Sequence, residues 1–108
     1  MANEYSLWLD DERPMPKDYH IHFKTAWDII AFMEMKFATS GVLPQRVSLD
    51  HDLGDPLNGT GYDVACWLEE QYYSGRFKDP IILLCHSDNG AVLDKMRVTL
   101  ERCTPKHT

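Results

Sequence analysis

Positive charge is scarce in this sequence. Eleven Lys and Arg stand against 17 Asp and Glu, a formal net charge of -6. Affinity for long duplex nucleic acid comes mainly from Lys and Arg on phosphates, so this balance argues against such a partner. It leaves room for a small phosphate-bearing ligand, because a divalent cation on an acidic cluster supplies the missing positive charge. Cysteine is equally sparse: Cys66, Cys85 and Cys103 are odd in number and widely spaced, with no CxxC pair. Two of them lie in apolar runs and read as buried, reduced thiols rather than disulfide or zinc ligands. Gly54, Gly59 and Gly61 match no phosphate-cradling spacing and read as a turn into a helix. No window approaches the roughly 18 apolar residues of a membrane span. The opening MANEYS has no basic region followed by an apolar one, so the expected address is the cytoplasm, with no membrane partner.

What is present suits one soluble domain spanning 1–108. A chain of 108 residues has room for a single core, and 44% hydrophobic with 26% charged residues is ordinary globular composition. Internal repeats and low-complexity segments are absent, and no pattern specifies an oligomeric state.

The elements alternate. Ser6 to Asp10 (SLWLD) predicts a first strand, and Arg13 to Asp18 (RPMPKD) predicts a loop because Pro14 and Pro16 remove amide donors. His20 to Lys24 (HIHFK) alternates as a second strand. Thr25 and Asp28 form a capping-box pattern ahead of Ile29, Ile30, Met33 and Phe37 at helical spacing, with Gly41 as the stop. Gln45 to Asp50 (QRVSLD) predicts a third strand. Thr60 and Asp63 open a second helix striped by Val64, Leu68 and Tyr72 and ending near Gly75. Pro80 to Cys85 (PIILLC) reads as a fourth strand covered on both faces. Leu93, Met96, Leu100 and Cys103 stripe a last helix. Trp8, Trp27 and Trp67 are expected in the core rather than on a base-stacking platform.

Strands alternating with helices predict a parallel sheet with right-handed crossovers, whose functional groups gather beyond the carboxyl ends of the strands. Strand one ends in Asp10-Asp11-Glu12, strand three in Asp50-His51-Asp52, and strand four in His86-Ser87-Asp88-Asn89. All three polar clusters therefore fall on one edge. Asp10, Asp11 and Asp50 are hard oxygen ligands suited to Mg2+ (or Mn2+), or else solvated caps and turn residues. His51 and His86 are either proton carriers or structural histidines. Ser87 and Asn89 donate to phosphate oxygens, or Asn89 caps the last helix. Arg13 grips a phosphate, or pairs with Glu12 or another carboxylate. Asp52 joins Arg13, Ser87 and Asn89 as a candidate substrate contact. His20 and His22 share one strand face, as an HxH metal pair would, but with no third ligand nearby in sequence.

An acidic pair after strand one, an aspartate after strand three and a serine after strand four resemble the receiver domain of two-component signalling. That resemblance implies magnesium on Asp10, Asp11 and Asp50, phosphoryl acceptance on Asp50, and assistance from Ser87. A receiver also has a fifth strand followed by lysine; here the residues after strand four read as one helix, and Lys95 lies inside it. The closer resemblance is to the cyclic-phosphate processing receiver domains. It rests on LWLDDERP (Leu7 to Pro14), SLDHDLG (Ser48 to Gly54), the block from Gly59 to Glu70, His86 to Gly90, and Met96. It implies a reduced flavodoxin-like, receiver-like three-layer α/β sandwich, with a four-stranded parallel sheet in the order 2-1-3-4 and about three helices.

Three functions follow as expectations. The first is a metal-dependent phosphoesterase acting on a cyclic phosphate, at an RNA end or on a cyclic nucleotide. There Asp50, His51 and His86 would be catalytic, and Arg13, Asp52, Ser87 and Asn89 would bind substrate. The second is a signalling module phosphorylated on Asp50. The third is a catalytically silent protein that binds a cyclic nucleotide or a partner.

Overall fold

The computed structural model describes residues 5–50 and 53–85. In chain order these form β1 (Ser6–Leu9), β2 (Ile21–Phe23), α1 (Ala26–Ser40), β3 (Arg46–Leu49), one 3-10 turn (Pro56–Asn58), α2 (Gly61–Tyr73) and β4 (Ile82–Cys85). All strand pairs are parallel, and the sheet order is β2-β1-β3-β4. This is the α/β receiver-like arrangement that the sequence predicts. Two α-helices are found among the described residues. The further helix expected over Leu93 to Cys103 lies outside them.

Local chemistry sets the helix limits. Thr25 caps α1 by accepting the Asp28 N–H at 3.1 Å, and Gly41 ends it at φ 70°, donating its N–H to the Phe37 carbonyl. Only Thr25's arm of the expected capping box forms. At α2 both arms form: Thr60 Oγ1 accepts the Asp63 N–H at 3.2 Å, and Asp63 Oδ2 accepts the Thr60 N–H at 2.9 Å. Buried positions recur at helical spacing, at Ala26, Ile29 and Met33 in α1 and at Gly61, Val64, Ala65 and Leu68 in α2.

Both helical crossovers step across the sheet in the same direction, so right-handedness sets α1 and α2 on the same face. There they pack on each other, with α1 against β1 and β2 and α2 against β3. Leu7, Leu9, Val47 and Leu49 point into this core and meet Ile29, Met33, Val64 and Leu68. The alternating residues Ser6, Trp8 and Ser48 face the other side and are buried too. The loop 10–20 accounts for part of that burial. Tyr19 packs edge-on against Trp8, and Arg46 lies 4.4 Å over the Tyr19 ring while donating to the Asp18 carbonyl at 2.8 Å.

Two expectations about burial are corrected. Among the described residues β4 is an edge strand, and Ile82 and Leu84 on its face away from the helices are exposed, Ile82 by 51%. Trp27 is 52% exposed rather than in the core: it lies against the turn after β3, its Nε1 donating to the Leu57 carbonyl at 2.8 Å. Among the described residues, no helix is long and apolar enough to cross a membrane.

Candidate functional site

Parallel register brings the acids together. Leu9 lies level with Phe23 on one side and Leu49 on the other, and Leu49 lies level with Cys85, so all four strands end in one row. The ladder continues one residue further. The Asp10 N–H donates to the Phe23 carbonyl and the Asp50 N–H to the Leu9 carbonyl, each at 3.0 Å. Asp10 and Asp50 are thereby fixed side by side just beyond neighbouring strands. One carboxylate oxygen from each of Asp10, Asp11 and Asp50 lies within 4.8 Å of the others. Asp10 is fully buried and Asp50 is 5% exposed.

Carboxylates this close, two of them buried, repel one another unless positive charge or hydrogen-bond donors compensate them. The chain supplies both. Asp10 Oδ1 accepts the backbone N–H groups of Glu12 at 2.8 Å and Arg13 at 2.9 Å, which folds the loop back around the carboxylate. Asp10 Oδ2 accepts from Arg13 Nη1 at 3.1 Å, and the same Nη1 is 3.7 Å from Asp50 Oδ2. Of the two sequence readings of Arg13, pairing with carboxylates is therefore realised, though with Asp10 and Asp50 rather than Glu12. Its backbone is anchored as well, because Trp8 Nε1 donates to the Arg13 carbonyl at 3.3 Å.

Two residues belong to this site that sequence reasoning did not place there. His22 Nε2 lies 2.8 Å from the Asp10 carbonyl oxygen. That oxygen only accepts, so Nε2 carries the proton and steadies the end of β1. His20 turns to a different task, its Nδ1 accepting the Ser6 N–H at 2.9 Å. The HxH pair thus tethers β2 to β1 and is not a metal pair. The second residue is Gly54, at φ 81°, where an added Cβ would fall 2.9 Å from Asp11 Oδ2. Glycine there lets the loop after β3 run against the Asp11 carboxylate. Cross-strand pairing of His22 with Trp8 is the signal that would have found the first; nothing in sequence spacing marks the second.

The donor set suits a small hard cation. Three carboxylates drawn from two adjacent strand ends match the few-carboxylate, water-completed coordination of Mg2+ or Mn2+. Of the other predicted site residues, His51, Asp52, His86, Ser87 and Asn89 lie outside the described residues. Cys66 and Cys85 are free thiols, as expected, but only partly buried.

An acidic triad at the carboxyl edge of a 2-1-3-4 parallel sheet defines a receiver-like α/β domain. The family model of the cyclic-phosphate processing receiver domain matches residues 5–102. The chain belongs to that family. Neither the curated proteins nor the solved structures compared with it contain a match.

Proposed function

We infer that this domain is a metal-dependent phosphoesterase acting on a cyclic phosphate, at an RNA 2′,3′-cyclic end or on a cyclic nucleotide. The observation that carries this reading is the carboxylate triad of buried Asp10 and Asp50 with half-buried Asp11, within 4.8 Å at the carboxyl edge of the sheet. Membership of the cyclic-phosphate processing family supports the substrate class. Asp10, Asp11 and Asp50 would hold Mg2+ or Mn2+. When bound, the ion would polarise the phosphoryl group and lower the pKa of a coordinated water. The cluster is strongly anionic by itself, so a phosphate ligand needs that compensation to approach it.

In the hydrolysis proposed, a water oxygen bonds to phosphorus and one ring P–O bond breaks. The departing oxygen takes a proton, leaving a phosphomonoester. His51 and His86 are the proposed carriers for the proton removed from water and the proton given to the leaving oxygen. Arg13, already at the rim of the cluster, would bind a non-bridging phosphate oxygen. Asp52, Ser87 and Asn89 complete the proposed substrate contacts.

The test is incubation with Mg2+ or Mn2+ and 2′,3′- or 3′,5′-cyclic nucleotides, following phosphomonoester release in the wild type and in Asp50→Ala. Metal-dependent opening of one class, abolished in Asp50→Ala, is expected. A ligand bound tightly but returned unchanged after hours selects the silent binding protein instead. Acetyl phosphate with Mg2+ followed by intact mass measurement is expected to leave no stable phosphoryl group on Asp50; a lasting adduct selects the signalling module. Absence of both binding and turnover overturns the reading.

A further inference from the structure

Resting on that reading of the acids as a cation site, we propose that Arg13 is a tethered cation that the metal ion displaces, and that its release couples metal binding to phosphate binding. The geometry of Asp10 makes the two cations competitors. Oδ1 already accepts the Glu12 and Arg13 N–H groups at 2.8 and 2.9 Å, so Oδ2 is the oxygen better placed to serve a cation. Arg13 Nη1 already occupies Oδ2 at 3.1 Å and leans toward Asp50 Oδ2 at 3.7 Å. A magnesium ion about 2.1 Å from Oδ2 would lie within roughly 5 Å of that nitrogen, with both positive charges drawn to the same buried carboxylate. Repulsion at that range, between groups drawing on the same lone pairs, favours one occupant at a time.

The way Arg13 is mounted makes this exchange local. Its N–H is tied to Asp10 Oδ1, and its carbonyl accepts from Trp8 Nε1 at 3.3 Å. Trp8 is buried beneath Tyr19, so the backbone has two anchors. The Arg13 side chain, by contrast, is 41% exposed. The guanidinium can therefore swing outward without moving the loop, and a fixed backbone keeps it within reach of anything bound at the rim. A planar fork of N–H donors there is suited to two phosphate oxygens. Without metal, Arg13 neutralises part of the triad and stabilises the empty fold. With metal, the same group becomes part of the phosphate site. The two ligands then bind with positive coupling, each favouring the arrangement the other needs.

The test measures Mn2+ affinity by paramagnetic relaxation, with and without inorganic phosphate, in wild type, Asp50→Asn, Arg13→Gln and Arg13→Lys. Arg13→Gln is expected to bind Mn2+ about tenfold more tightly than wild type in the absence of phosphate. Phosphate should tighten Mn2+ binding several-fold in wild type and in Arg13→Lys, but not in Arg13→Gln. Equal or weaker Mn2+ binding by Arg13→Gln, with Asp50-dependent binding intact in wild type, overturns the exchange and leaves the metal site standing. Mn2+ binding that is absent, or unchanged in Asp50→Asn, overturns the site reading itself. Nitrogen NMR of the wild-type arginine side chains keeps the proposal testable if a variant fails to fold. The Arg13 Nε resonance should shift on saturation with Mg2+, and a fixed resonance counts against displacement.

Discussion

Replacing Asp50 by Asn should make the metal-free protein more stable, not less. Asp50 is 5% exposed, and its carboxylate shares a 4.8 Å cluster with those of Asp10 and Asp11. At an effective dielectric of about 20, two unit charges at that outer limit of 4.8 Å repel by roughly 3.5 kcal/mol, so the two repulsions involving Asp50 amount to roughly 7 kcal/mol or more. Against this stands the attraction to Arg13 Nη1 at 3.7 Å, of roughly 4.5 kcal/mol on the same scale. Asn keeps the shape of the side chain and removes both charge effects, for an expected gain of about 2 kcal/mol. In a domain of this size that raises the melting temperature by about 10 °C. Mg2+ should stabilise the wild type and leave Asp50→Asn nearly unmoved, because a ligand raises stability only in proportion to its affinity for the native state. Thermal melts of both proteins, each with a chelator and with Mg2+, make the comparison. Loss of more than 1 kcal/mol in the chelated variant, or equal Mg2+ stabilisation of the two proteins, would refute the electrostatic account of the cluster. The expected pattern, stability given up where charge is gathered for function, is a common feature of binding sites.

Other outcomes follow from single positions. Gly54→Ala should cost about 1 kcal/mol or more and weaken Mn2+ binding, since φ of 81° is strained for alanine and its Cβ would press on Asp11 Oδ2; unchanged affinity in titrations would remove Gly54 from the site. Leu68→Ala, at a fully buried position between α2 and the sheet, should lower stability by about 2–5 kcal/mol in urea denaturation, and a loss below 1 kcal/mol would mean that the core is not as described. Burial pushes the Tyr5 phenol up to about 12, and its hydroxyl donates to the Val42 carbonyl at 3.0 Å. The folded pKa lies above the ordinary value near 10, so this contribution is intact below pH 10 and is lost as pH rises toward 12. Phenolate absorbance followed alongside melting curves should show a late-titrating tyrosine in the wild type that is missing from Tyr5→Phe.

Features that depend on near neighbours were legible in the order of residues. Thr25, Gly41 and the Thr60–Asp63 pair mark helix limits because their hydrogen bonds span at most four residues. Alternating strands and helices imply a parallel sheet, and a parallel sheet puts strand ends on one edge, so Asp10, Asp11 and Asp50 could be grouped before any coordinates. Features that depend on partners far along the chain, or on the path of a loop, emerged only in the folded molecule. The turn held by Asp10 Oδ1 carried Arg13 onto Asp10 and Asp50, where spacing left either a phosphate or a carboxylate as its partner. Strand register set His22 on the Asp10 carbonyl and turned an apparent metal pair into two tethers. A left-handed Gly54 admitted Asp11 to the cluster, and the edge position of β4 opened Ile82 to solvent. Periodicity records which face of an element is apolar. Which distant group meets that face, or which charge lies across from an acid, is fixed only when the whole chain closes on itself.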